Sequence, residues 1–166
     1  AMTGSLVERV LTLTSSGSPS NLRFLAIVGA SGSGKSSLVR AGIIPALRWN
    51  KKSINWQIQV LTPTAHPLVN LAASLLSDDG SAASIATLMD DLKADSRSLQ
   101  IFAKRRPASK DGSHLLLVVD QFEELFALCR SEEERVSFIE NLLTAACEVD
   151  GPVILLITLR ADFYAH

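Results

Sequence analysis

The sequence has few cysteines, few aromatic residues and no long apolar run, and its charges nearly cancel. Only two cysteines occur in 166 residues, Cys129 and Cys147, and neither belongs to a C-x-x-C pair or a Cys/His cluster. These absences exclude a disulfide framework and a zinc motif, and we expect two buried, reduced thiols. The 16 Lys and Arg residues against 17 Asp and Glu residues give a net charge of −1, which offers no general surface for nucleic acid or an anionic membrane.

The sequence also gives no sign of a membrane segment. No apolar run approaches the roughly 18 residues that a membrane-spanning helix needs. The first residues lack the charged and apolar regions of a signal peptide. We therefore expect a cytoplasmic protein with no membrane partner and no direct nucleic-acid binding.

A hydrophobic content of 47% suffices for one domain with its own core. We expect a single domain over residues 1–166, with an opening helix and a turn-rich linker in 1–22 and a core in 23–166. The first two residues look like the remnant of an expression vector, and the last residues follow directly on a strand-like run. We therefore interpret the chain as a domain truncated at its C-terminal end.

Short apolar runs alternate with helical patterns along the chain. The runs over 24–28, 56–61, 115–119 and 153–159 predict four strands. Helical spacing predicts helices over 35–47, from Pro67 onward, over 85–102, and after the S-x-x-E capping box at 131–134. This alternation predicts an α/β fold, a three-layer α/β/α sandwich around a mainly parallel sheet.

The segment after the first predicted strand carries the strongest motif. Gly29-Ala30-Ser31-Gly32-Ser33-Gly34-Lys35-Ser36 fits G-x-x-x-x-G-K-[ST] between a strand and a helix, the context of a phosphate-binding loop, or Walker A motif. Lys35 would contact the β- and γ-phosphates, and the Ser36 hydroxyl would ligate Mg²⁺. We predict that the nucleotide is held by Gly29, Ala30, Ser31, Gly32, Ser33, Gly34, Lys35, Ser36 and Ser37, named below the phosphate loop.

Two further strand ends carry charged residues. Asp120 follows the 115–119 run, as a Walker B carboxylate that binds Mg²⁺ does. Glu123 and Glu124 come next, and either could polarise the attacking water. Arg160 closes the 153–159 run, where a guanidinium could contact a γ-phosphate. We therefore predict Lys35, Glu123, Glu124 and Arg160 as catalytic residues.

Three functions fit these residues: a slowly hydrolysing ATPase switch, a small-molecule kinase, and a scaffold that binds nucleotide without hydrolysis. The glutamates favour hydrolysis, because a kinase needs no water-activating carboxylate. We predict the strand order 1-4-3-2, with the 153–159 strand between the loop strand and the Asp120 strand. A kinase would normally have those two strands side by side.

The motifs together resemble a known family, the bacterial novel STAND NTPase 1 family. The resemblance covers nearly the whole chain from Leu25 onward and uses three motifs in the right order. Its segments are LAIVGASGSGKSSLVRAGIIPAL at 25–47, Trp56 with Leu61-Thr62-Pro63 and His66-Pro67-Leu68, LLLVVDQFEELFALC at 115–129, and LLITLRADFY at 155–164. STAND proteins are multidomain signal-transduction ATPases, and this group is often joined to WD40 repeats or effector modules.

The resemblance implies roles for several residues and partners. The stretch Asp120-Gln121-Phe122-Glu123-Glu124 is similar to the extended Walker B motif of NACHT-type STAND proteins, and Arg160 falls at the sensor-1 arginine. It implies ATP with Mg²⁺ as the ligand and further domains of the same chain as partners. The family's G-R-E-type segment before the opening helix is missing, and no fifth strand, lid helices or winged helix follow Tyr164. We therefore expect an exposed edge on the 24–28 strand, which would favour a homo-oligomer.

Overall fold

The computed structural model describes residues 2–14, 22–49, 54–76, 80–106 and 113–165. Within them, four strands form one sheet: β1 (Phe24–Gly29), β2 (Trp56–Leu61), β3 (His114–Val119) and β4 (Val153–Arg160). Their order is β1-β4-β3-β2, and each neighbouring pair is parallel. The predicted α/β fold and the predicted strand order are both confirmed, with β4 between the phosphate-loop strand and β3.

The two inner strands, β3 and β4, are apolar along nearly their whole length because helices cover both faces of the sheet. Successive side chains point to opposite faces. One face therefore buries Leu116, Val118, Ile154 and Leu156, and the other buries Leu115, Leu117, Val119, Val153, Leu155 and Ile157. This arrangement is the predicted three-layer sandwich.

Seven helices and one 3-10 helix are found among the described residues. They are α1 (Met2–Thr12), α2 (35–48), α3 (Pro67–Leu75), α4 (Ala82–Ala94), α5 (Ser98–Arg105), α6 (Glu124–Leu128), α7 (Glu132–Cys147) and the 3-10 helix Ala161–Ala165. Helices α1 and α2 cover one face of the sheet, and α3 to α7 contribute to the core on the other face. In the part of the chain that the structure describes, no helix has the length and apolar character needed to cross a bilayer.

Helix α2, which follows the phosphate loop, is not a uniform α-helix. It is α-helical at Lys35–Ser37, π-helical over Leu38–Ile43 and α-helical again over Ile44–Arg48. The amide of Ile44 bonds to the carbonyl of Val39, a π-helical pairing. Ile44 comes directly before Pro45, which has no N–H to donate to the helix. The sequence predicted the helix but not this widened turn.

The helix predicted over 85–102 is instead two helices, α4 and α5, separated at Asp95. The backbone of Asp95 is extended, with φ −141° and ψ 121°. Its Oδ1 accepts a 2.8 Å hydrogen bond from the backbone N–H of Arg97, and such a bond competes with helical pairing. The apolar face nevertheless continues across the break, because Leu92 and Leu99 are both fully buried.

Helix α7 begins where the capping box predicted. Ser131 Oγ accepts a 3.2 Å hydrogen bond from the amide of Glu134. The Glu134 carboxylate does not return to Ser131 but accepts a bond from the Leu68 amide of α3 (3.3 Å), which ties the two helices together. At the other end, Cys147 is exposed, so the expectation of a buried thiol was wrong there, whereas Cys129 is buried as expected.

Candidate functional site

The phosphate loop joins the end of β1 to the start of α2. Gly32 and Gly34 have φ of 70° and 82°, the left-handed region where side chains other than glycine are strained. Gly29 is restricted by space instead, because a Cβ there would lie 3.0 Å from Ser33 Oγ. The glycines of the motif therefore allow a backbone path that other residues would obstruct.

Lys35 is folded back onto the loop. Its ammonium group donates hydrogen bonds to the carbonyls of Gly29 (2.8 Å) and Ala30 (2.7 Å). Ser33 Oγ lies at 3.5 Å from the same nitrogen. The charge is thus held above the loop by acceptors that a phosphate group can replace, since an ammonium group binds an anion more strongly than it binds neutral carbonyls.

Ser36 and Asp120 meet at the end of the sheet, although 84 positions separate them in the sequence. The Ser36 hydroxyl donates a 2.8 Å hydrogen bond to Asp120 Oδ1. Thr158 donates a second, 2.6 Å bond to the same oxygen. Asp120 is only 4% exposed, so these two hydroxyls fix the orientation of its carboxylate.

The donor set at this point fits Mg²⁺. It consists of one hydroxyl, of Ser36, and one carboxylate, of Asp120, and Mg²⁺ prefers oxygen ligands and usually combines one or two carboxylates with water and substrate phosphates. Among the described residues no cluster of three or more His, Cys, Asp or Glu side chains forms a cage. The residues present therefore suit a cation that arrives with a phosphate ligand.

A strained turn follows Asp120. Gln121 has φ of 56°, which is uncommon for a residue other than glycine. Its amide donates to Thr158 Oγ1 (2.8 Å), and the next amide, of Phe122, donates to the Thr158 carbonyl (2.9 Å). Thr158 therefore stabilises both the carboxylate and the turn that leads to Glu123.

The two glutamates are placed differently. Glu123 is 5% exposed, lines the cavity above the phosphate loop, and has Oε2 3.4 Å from the amide of Arg160. Glu124, the first residue of α6, is half-buried and is not among the residues that line the cavity. Glu123 therefore lines the cavity directly, whereas Glu124 lies outside its lining.

Arg160 lies in register with Gly29, because β4 pairs with β1 in parallel. Its guanidinium makes a forked contact with Asp162, with Nη2 2.5 Å from Oδ2 and Nε 3.2 Å from Oδ1. The hydrogen bonds to Asp162 raise the pKa of Arg160, and the charges of Glu123 and Glu124 contribute further. Arg160 is thus at the predicted place, held by a carboxylate that the sequence analysis did not assign.

These groups surround a cavity of about 280 Å³. It is lined by residues 31–37, Gln121, Glu123 and Arg160, while Asp120 lies beneath it, bonded to Ser36. A larger cavity, of about 510 Å³, lies between α4 and α5 and is lined by Leu88, Ile101 and Phe102 with four charged side chains. No residue of the phosphate loop lines that cavity, so its larger volume does not make it the candidate site.

Three residues at the site were missed by sequence reasoning. Thr158 was read only as part of a strand, and Asp162 as part of the segment after it. Arg40, whose Nη2 lies 3.5 Å from Asp120 Oδ2, was also missed. The sequence spacing could have indicated this contact, because Arg40 follows Ser36 by four residues on one helix and residues at that spacing share a face.

A parallel sheet with β4 inserted between β1 and β3, a glycine-rich loop at a helix N-terminus and a buried aspartate beside the loop serine define a P-loop NTPase domain. The chain belongs to the Novel STAND NTPase 1 family, whose model matches residues 2–166. This family assignment agrees with the resemblance found in the sequence.

Solved structures show the same fold at low sequence identity. A chain in the structure of the E. coli MS115-1 HORMA:CdnC:Trip13 complex matches 96% of this chain and 55% of its own length, with a TM-score of 0.55 and 12% identity. The Aeropyrum pernix ORC2 protein, solved as ADPNP-ADP complexes, matches 96% of this chain and 40% of its own length, with a TM-score of 0.59 and 16% identity. The chain thus spans about half the length of these proteins. Comparison with curated proteins finds none that matches.

Proposed function

We propose that this domain binds ATP with Mg²⁺ on the phosphate loop, hydrolyses it slowly, and uses the bound nucleotide as a conformational switch in signal transduction. The observation that carries the proposal is the convergence of Lys35, the Ser36–Asp120 pair, Glu123 and Arg160 on one cavity. They provide a positive charge for the phosphates, a magnesium site, a carboxylate to activate water and a second positive charge. Phosphoryl transfer to water requires these groups.

The phosphates bind in the loop. Backbone N–H groups at the start of α2 donate to the β-phosphate region, and the helix dipole adds a partial positive charge there. Lys35 exchanges the carbonyls of Gly29 and Ala30 for phosphate oxygens. Ser36 and Asp120 would hold Mg²⁺, which would offset the negative charge of the phosphates. Holding a cation costs the Asp120 side chain little conformational entropy, because its hydrogen bond with Thr158 already fixes the carboxylate.

Glu123 is the residue we assign as general base. Its carboxylate lines the cavity and is almost fully buried, so it can accept a proton from a water placed near the terminal phosphate. Arg160 then stabilises charge on that phosphate. In the observed state both cations, Lys35 and Arg160, are engaged by the protein's own acceptors, and this favours slow turnover.

The strand order argues against the kinase alternative. In the structure β4 separates β1 from β3, whereas the kinase alternative predicted direct pairing of those strands. The alternative of a non-hydrolysing scaffold depends on Glu123, and its place at the cavity favours hydrolysis. A cytoplasmic location and partners in further domains of the same protein are part of this proposal.

A turnover assay separates the three functions. Phosphate release from ATP is measured with and without small hydroxyl acceptors, and the acceptors are checked for phosphorylation. We expect slow, magnesium-dependent phosphate release that is unaffected by the acceptors. A phosphorylated acceptor would favour the kinase, and tight binding with no release would favour the scaffold. ADPNP and ADP, named for the ORC2 structure, are suitable binding probes.

A further inference from the structure

Asp162 holds the cation that the proposed function assigns to the terminal phosphate. Both of its carboxylate oxygens accept hydrogen bonds from the guanidinium of Arg160, at 2.5 and 3.2 Å. Both side chains are substantially exposed, at 43% for Arg160 and 59% for Asp162. The pair is therefore formed at the mouth of the site rather than in the core.

The turn that carries Asp162 is anchored by an aromatic contact of the next residue. Asp162 lies in the 3-10 helix that follows β4, next to Phe163. The ring of Phe163 packs against that of Phe126 in α6, with 6.2 Å between the centroids. The pKa of Asp162 lies below its usual range because Arg160 donates a hydrogen bond to it, and the charge of Lys35 makes a smaller contribution. Asp162 is thus held beside Arg160, which itself lines the cavity above the phosphate loop.

A guanidinium fork binds a carboxylate and a phosphate through the same N–H groups. Arg160 therefore has to leave Asp162, at least in part, before it can make a forked contact with a terminal phosphate. An exposed ion pair of this kind is weak, so the exchange costs little. A diphosphate has no γ-phosphate to compete with Asp162, so Arg160 keeps its contact with Asp162 when a diphosphate binds.

We propose that Asp162 is a positioning residue for Arg160. It holds the guanidinium beside the phosphate loop until a γ-phosphate replaces it, so that the pair tunes the preference for triphosphate over diphosphate. The inference rests on the proposed function, because it requires nucleotide binding at the phosphate loop. It adds a regulatory contact to that site and a reason for Asp162 to follow Arg160 at this spacing.

The test is calorimetric titration of Mg²⁺·ADPNP and Mg²⁺·ADP into the chain. Asp162→Asn should tighten ADPNP binding about two- to five-fold, the range expected for removing an exposed ion pair, with a smaller change for ADP. Asp162→Glu, which keeps the carboxylate, should stay near the parent. The matched control is Asp95→Asn, because Asp95 makes the same two-residue-spaced, forked contact with Arg97, outside the phosphate cavity.

The double variant with Arg160→Ala gives the decisive comparison. If Asp162 acts through Arg160, Asp162→Asn should have no effect on ADPNP binding in the Arg160→Ala background. An equal gain in that background, or an equal gain for ADP and ADPNP, would mean simple charge repulsion and would overturn the inference while leaving the proposed function intact. Absence of Lys35-dependent binding by the parent chain would overturn both.

Discussion

Thr158 donates a 2.6 Å hydrogen bond from Oγ1 to Oδ1 of Asp120, and both residues are almost fully buried. The same hydroxyl oxygen accepts a 2.8 Å hydrogen bond from the backbone amide of Gln121. One side chain on β4 therefore fixes both the carboxylate at the end of β3 and the turn that carries Glu123. The insertion of β4 between β1 and β3 makes this contact possible, because it places Thr158 beside Asp120 and Arg160 beside Gly29.

Thr158→Val tests this contact with almost no change of shape. Valine cannot donate to Asp120 or accept from Gln121, so the buried carboxylate of Asp120 and the part-buried amide of Gln121 each lose a partner. We expect the free energy of unfolding to fall by about 1–3 kcal/mol, measured by urea denaturation. Thr158→Ser keeps the hydroxyl and should lose less. Equal stability of the valine variant and the parent would show that the hydrogen bonds have no net effect.

Lys35→Ala should weaken triphosphate binding by roughly one to two orders of magnitude, because it removes a charged hydrogen-bond donor to the phosphates. The change leaves the carbonyls of Gly29 and Ala30 without the ammonium group, but water can reach this exposed loop, so the fold should be retained. Lys93→Ala, on the surface of α4, is the matched control. Calorimetry with ADPNP measures both variants, and unchanged affinity for Lys35→Ala would refute the assignment.

Glu123→Gln and Glu124→Gln separate the two candidate bases. The Glu123 variant should bind ADPNP nearly normally and lower turnover by about two to four orders of magnitude, the range for loss of a general base. The Glu124 variant is its neighbour-matched control and should keep most of the activity, because Glu124 does not line the cavity. The measurement is phosphate release at saturating ATP. The reverse ranking would move the base to Glu124.

Gly34→Ala tests the backbone of the loop. A Cβ at Gly34 would meet nothing within 4 Å, so any effect comes from its φ of 82°. We expect a loss of about 1–2 kcal/mol in the free energy of unfolding, together with weaker phosphate binding. The control is Gly4→Ala in α1, which also meets nothing within 4 Å and should stabilise the helix by about 0.5–1 kcal/mol. Equal effects of the two changes would contradict this account.

The strands and their order could be predicted because apolar runs and the position of the loop motif constrain a parallel sheet strongly. The meeting of Ser36 and Asp120 follows from the same topology, since the carboxyl ends of parallel strands share one edge. The roles of Thr158 and Asp162 could not be predicted in this way. A threonine at the end of a strand looks like any β-branched residue, and the Arg160–Asp162 pair depends on the 3-10 turn that follows β4.

Local breaks were also hidden from periodicity. The apolar stripe of 85–102 reads as one helix because Leu92 and Leu99 are buried on the same side of the break, and only the backbone of Asp95 reveals it. Likewise, Pro45 indicates that the helix loses one backbone hydrogen bond. Whether a π-helical turn forms before it depends on which carbonyls the preceding amides pair with. These features depend on local hydrogen-bond competition, which composition does not encode.

The central claim is that a magnesium-bound triphosphate occupies the phosphate loop, and amide NMR of the 166-residue chain tests it most directly, even for weak binding. On titration with Mg²⁺·ADPNP, the account predicts that the largest shifts fall on the amides of 29–37, of 120–123 and of Arg160, and that Asp120→Asn reduces them. Shifts concentrated instead around the cavity between α4 and α5, or no shifts at millimolar ligand, would contradict the account.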